Sequence, residues 1–87
     1  MEFDWDAENL AHIARHDISA AEVEFALAGE TLDRGRQDWH DEERFEEVGV
    51  TALGRFIVVV TTWRSLRIRV VTAYDAPREL IKAYYGH

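Results

Sequence analysis

The sequence predicts an α+β domain: an antiparallel meander of strands with helices packed on one face. Three observations carry this reading. Ser19-Ala20-Ala21-Glu22 is a capping box, which opens a helix in the first third of the chain. Phe56-Ile57-Val58-Val59-Val60 is apolar on both alternations, as a strand covered on both faces must be. The strand-like segments of the second half follow one another through connections too short for a crossover helix, so neighbours pair antiparallel. The 87 residues suit one domain spanning 1–87, and 47% apolar with 31% charged residues is a globular composition.

The predicted order is β-α-α-β-β-β-β-α. Phe3 and Trp5 alternate with Glu2, Asp4 and Asp6, the pattern of a short strand at a sheet edge. Asp6 is placed to cap a helix over 7–16 with Leu10, Ile13 and Ala14 on one face, closed by His16-Asp17. The capping box opens a second helix over 20–28, with Val23, Ala26 and Leu27 as its stripe and Gly29 as its stop; Phe25 lies off the stripe. Residues 30–42 are polar and poorly patterned, with room for a short strand at 31–33. A strand over 43–52 alternates imperfectly and is interrupted by Gly49, the signal of a bulge. Gly54 makes a turn, residues 55–62 form the central strand, 63–66 turn the chain back, and 67–73 form the last strand. Asp75 is placed to cap a final helix with Pro77 in its first turn and Leu80, Ile81 and Tyr84 as its apolar face, and Gly86 ends it.

Composition excludes several classes. Without cysteine the chain offers no disulfide, thiolate metal site or cysteine nucleophile. The acidic start, MEFDWDAENL, is unlike a signal peptide, and FIVVV is too short to span a bilayer, so a cytoplasmic protein without membrane contact is expected. The net charge of −7 divides unevenly: residues 1–53 carry 15 carboxylates against 4 arginines, whereas residues 54–87 carry 2 against 6 Lys/Arg. That asymmetry implies either a directional surface or two halves that neutralise each other in the fold.

Five segments, FDWD (3–6), RHD with IS after it (15–19), EERF (42–45), RFIVVVTTW (55–63) and RIRVVTA (67–73), resemble in order and spacing the BrnT-like toxins of type II toxin–antitoxin systems. The resemblance implies a RelE-like fold, a twisted antiparallel sheet with two N-terminal helices and a C-terminal one. It implies RNA cleavage without a metal or other cofactor. It also implies a cognate antitoxin with a ribbon-helix-helix-like DNA-binding part, and a homodimer or a heterotetramer with that antitoxin. The chain departs from the family pattern at Asp17, where a glycine is usual, at Tyr74, where an arginine is usual, and in its acidic charge.

Metal-free RNA cleavage uses the substrate's 2′-hydroxyl as nucleophile, a base to deprotonate it, cations for the phosphorane, and an acid for the leaving 5′-oxygen. Arg67 and Arg69 are two apart on a strand, so they share a face roughly 6.5–7 Å apart, near the spacing of successive phosphates. Arg44 stands on a neighbouring strand; Arg78 and Lys82, one helical turn apart, are placed to line the rim. The expected catalytic set is Glu43, Arg44, Arg67 and Tyr74, with Glu43 as base and Tyr74, His40 or Tyr84 as acid. The expected RNA-binding set is Arg67, Arg69, Arg78 and Lys82. The competing reading pairs Arg67 and Arg69 with Glu43, Glu46 or Glu47 across the strands, leaving a catalytically idle domain that binds a partner protein. His12 and His16 have the spacing of two helical metal ligands but lack the Glu of an H-E-x-x-H motif and an evident third ligand, so no metal site is expected.

Overall fold

The computed structural model describes residues 2–87. The elements are α1 (Ala7–Ala14), α2 (Ala20–Ala28), β1 (Leu32–Trp39), β2 (Glu42–Val50), β3 (Phe56–Arg64), β4 (Arg67–Asp75) and α3 (Arg78–Gly86). The four strands form one antiparallel sheet in the order β1-β2-β3-β4. The predicted α+β class holds.

Both N-terminal helices start where their caps dictate. The Asp6 carboxylate accepts the Asn9 N–H at 2.8 Å, and Ser19 and Glu22 close a reciprocal capping box. α1 stops at Ala14, short of the predicted residue 16, and the chain leaves it through Asp17 at φ 58. That left-handed conformation suits glycine, and aspartate tolerates it better than most residues. The predicted first strand shrinks to a single parallel bridge, Phe3 to Ile68. Asp4 N–H donates to the Ile68 carbonyl and Ile68 N–H to the Glu2 carbonyl, both at 2.8 Å, so the N-terminal segment covers the free edge of β4.

The segment 30–42 is where the sequence reading falls short. It forms an eight-residue edge strand and a two-residue hairpin turn, with His40 at φ 49 and Asp41 at φ 64. β1 is exposed almost throughout, so no hydrophobic alternation announces it. Its register shift lies between Asp33 and Arg36, where Gly35 takes φ 102. No bulge occurs at Gly49: β2 pairs continuously with β3 from Phe45 to Val50. Gly49 instead admits α2, since a Cβ there would stand 3.0 Å from the Ala26 carbonyl oxygen and 3.1 Å from its Cβ.

The helices do not share one face. Ile57, Val59, Val70 and Ala73 form one side of the sheet with Ile13, Ile18, Val23 and Ala26 of the N-terminal helices and their connection against them. α3 covers part of the opposite side, where Tyr84 and Tyr85 pack on Phe56 with ring centroids 5.3 and 5.5 Å away. Asp75 does not cap α3; it ends β4 and accepts a hydrogen bond from Arg55, while Pro77 occupies the cap position without a side-chain bond. The rest of the α3 side is open and carries the candidate site.

Candidate functional site

A bulge in β4 decides which side chains meet on the open face. Val60 pairs with Thr72 but Thr61 pairs with Val70, so β4 holds one extra residue, Val71. Strict alternation would send Thr72 and Tyr74 to the core with Ile68 and Val70. The bulge reverses the pleat: Ala73 becomes fully buried, while Thr72 and Tyr74 join Arg67 and Arg69. Thr72, expected in the core, is therefore on the site's face. Through the ladder this face also carries Arg44 and Glu46 of β2, and Gln37 and Trp39 of β1.

Two adjoining cavities hollow the open face and share Arg44 and Val71. The first, about 290 Å³, is lined by Gln37, Trp39, Arg44, Glu46, Val60 and Tyr74 among others. The second, about 310 Å³, is lined by Asn9, His12, Glu42, Arg44, Arg64 and Arg69 among others.

Each arginine here meets a carboxylate, but not those expected. Arg69, only 19% exposed, donates to the Asp6 carboxylate at 2.8 Å and lies 3.8 Å from Asp4. The two aspartates of FDWD thus hold the second arginine of RIR. The Asn9 backbone N–H and then the Arg69 guanidinium hold the Asp6 carboxyl below the usual aspartate range. Arg67 is exposed and reaches Glu2 at 3.4 Å. Glu42 bridges Arg44 at 2.9 Å and Arg64 at 3.8 Å, and the Arg44 guanidinium lies 5.7 Å from the centre of the Trp39 ring.

Glu43 is corrected. By register it points to the helix side of the sheet, and its carboxylate pairs with Arg36 at 2.9 Å. Period-2 alternation separates it from its neighbour Arg44, so Glu43 faces away from the groove. Arg78 and Lys82 are exposed on α3, which follows the Asp75 end of β4, and that end is on the order of 25 Å along the strand from Arg67. Tyr84 is committed elsewhere, donating to the Glu30 carbonyl at 2.9 Å, and His40 packs edge-on against Trp39. Tyr74 remains on the face: burial, and then the nearby Glu46 carboxylate, push its hydroxyl above the ordinary tyrosine range, keeping it protonated.

Three residues of the groove escaped the sequence reading. His12, whose spacing to His16 suggests only a metal-ligand pair, lines the cavity beside Arg64 and Arg69. Asn9 shares that wall, is 8% exposed, and its Oδ1 has no hydrogen-bond partner among the described residues. Glu42 holds two arginines at once. The only sequence signal for the pair on α1 is their spacing, three apart on the helix that Asp6 caps. Behind the site, Arg55 ties the elements together: its guanidinium donates to Asp75 at 2.7 Å, to the His16 carbonyl at 2.7 Å and to the Asp17 carbonyl at 2.5 Å. These bonds fix the end of α1, and with it His16, whose ring lies 6.3 Å from Tyr74.

Fold and groove together define a small α+β protein with an arginine-lined, internally neutralised cleft on one sheet face. Such a cleft can exchange its own carboxylates for the phosphates of a ligand. A family model described as "Ribonuclease toxin, BrnT, of type II toxin-antitoxin system" matches residues 5–79, and the chain belongs to that family. Comparison with curated proteins finds no match. Among the described residues no helix is long and apolar enough to cross a membrane.

Proposed function

We propose that this chain is a metal-independent endoribonuclease toxin, acting as one domain in the cytoplasm and neutralised by a cognate antitoxin with a ribbon-helix-helix-like DNA-binding part. The observation that carries the reading is the convergence of Arg44, Arg64 and Arg69 with His12 around one cavity. In this mechanism the arginines hold the scissile phosphate and stabilise the charge that develops on the phosphorane. His12 takes the 2′-hydroxyl proton. Tyr74, kept protonated by its burial, is the proton donor on the same face. Arg67, exposed at the start of β4, contacts a flanking phosphate.

The second reading, a catalytically idle interaction domain, draws on the pairing of the groove arginines with Glu42, Asp4 and Asp6. Expression with and without Arg69→Ala and His12→Ala separates the two. The toxin reading expects growth arrest and degraded RNA from the wild type, relieved by either substitution. If the wild type leaves growth and purified RNA intact, the idle domain is the better description. If both variants remain fully toxic, the assigned residues are wrong.

A further inference from the structure

Two acids of the groove hold no arginine among the described residues: Glu8, which is exposed on α1, and Glu46, which is half-buried. Glu42, Asp4 and Asp6 each hold an arginine, whereas among the described residues no cation lies within 4 Å of Glu46 and no side-chain hydrogen bond reaches its carboxylate. It is half-buried in the cavity lined by Trp39, Arg44 and Tyr74, with Val60 and Gln37 also in the wall. A free carboxylate costs phosphate affinity in an anion-binding groove. It is better suited to a ligand that is flat, uncharged and rich in N–H donors. The Trp39 indole carries the Arg44 guanidinium over one face and is still 54% exposed, so a base can stack on the exposed part of this pair. An ionised carboxylate only accepts hydrogen bonds. Guanine alone among the four RNA bases presents two adjacent donors, N1–H and the N2 amine, on its Watson–Crick edge; the others present one donor site beside acceptors.

We propose that this cavity is a guanine-specificity subsite, with Glu46 reading N1–H and N2–H and Trp39 supplying the stacking surface. The subsite rests on the ribonuclease reading in one respect: the neighbouring cavity, which shares Arg44, receives the adjoining phosphate. The chain would then select guanine in single-stranded RNA next to the bond it cuts.

Equilibrium binding of the four 3′-mononucleotides to the full chain tests base choice without requiring cleavage. The expected result is 3′-GMP bound roughly 10- to 100-fold tighter than the other three, the discrimination of a bidentate base contact. Glu46→Gln should abolish that preference while leaving the common phosphate-driven affinity, and Trp39→Ala should weaken all four. In a 2′-O-methyl oligonucleotide with one guanine, replacing that base by hypoxanthine, which lacks the N2 amine, should lower affinity about tenfold or more. Equal affinity for the four nucleotides, no binding of any of them, or a guanine preference that survives Glu46→Gln overturns the proposal. Binding of 3′-GMP as tight as that of the oligonucleotide overturns the RNA assignment and leaves a free-nucleotide site. Selective guanine binding with intact RNA in the cleavage assay retains the subsite and removes the ribonuclease reading, so the two fail separately.

Discussion

Replacing Glu42 with glutamine should tighten RNA binding. Glu42 spans two cations, with Oε1 at 2.9 Å from Arg44 Nε and Oε2 at 3.8 Å from Arg64. A phosphate entering the groove must compete with this carboxylate for both. At about 4 Å and an effective dielectric near 20 the gross attraction of one pair is about 4 kcal/mol. The Glu42 and Arg44 side chains are about 30% exposed and Arg64 is more so, so solvent and side-chain entropy absorb most of it. The net contribution is about 0.5–1 kcal/mol per pair. Two pairs give about 1–2 kcal/mol, or roughly 5- to 30-fold in the RNA dissociation constant. Fluorescence anisotropy with a 2′-O-methyl oligonucleotide, repeated across a salt series, measures this directly. A freed pair of arginines should also steepen the dependence of log K on log salt by up to about 1 to 2. Unchanged or weaker binding by Glu42→Gln, with the variant folded, would refute the idea that phosphate and Glu42 compete for the same cations.

Gly49→Ala should cost about 1–3 kcal/mol, because the new Cβ meets backbone as well as side chain of Ala26 and neither can swing away. Gly29→Ala is the control: its nearest contact is an ordinary 3.7 Å, so thermal unfolding should separate the two variants by about 4–8 °C per kcal/mol. Arg55→Lys keeps the charge but cannot span Asp75, His16 and Asp17 together; a loss of about 1–3 kcal/mol is expected, with faster amide exchange at residues 16–18. The Asp6 carboxyl is depressed in the folded protein, so its contribution is complete above the ordinary aspartate value of 3.8 and is lost as pH falls through the lower folded value. Melting temperature followed down through pH 4 should therefore fall less steeply for Asp6→Asn than for the wild type, and identical slopes would exclude Asp6 as a contributor.

Much of this was legible in the sequence because the causes are local. Asp6 and Ser19 cap helices through bonds to residues three positions away, and the both-sided apolar run of 56–60 makes a central strand. Arg67 and Arg69 share a face because strands alternate, and no bulge falls between them. The α+β class followed from such signals, and the family resemblance from five short segments in their order and spacing.

The remainder depended on distant partners. β1 is an edge strand held by backbone bonds to β2 and exposed on its side chains, so its composition reads as loop. The extra residue at Val71 has no signature in RIRVVTA, yet it sends Ala73 inward and brings Tyr74 to the groove. Glu43 and Arg44 look like a pair in sequence and are parted by the pleat. Arg69 finds Asp6 across 63 positions, which no local pattern could specify. The sequence by itself determined the helix starts and the central strand, since capping and periodicity act within a few residues. Tertiary structure alone decided which charges meet, because strand register and the β4 bulge are set by packing against α1 and α2.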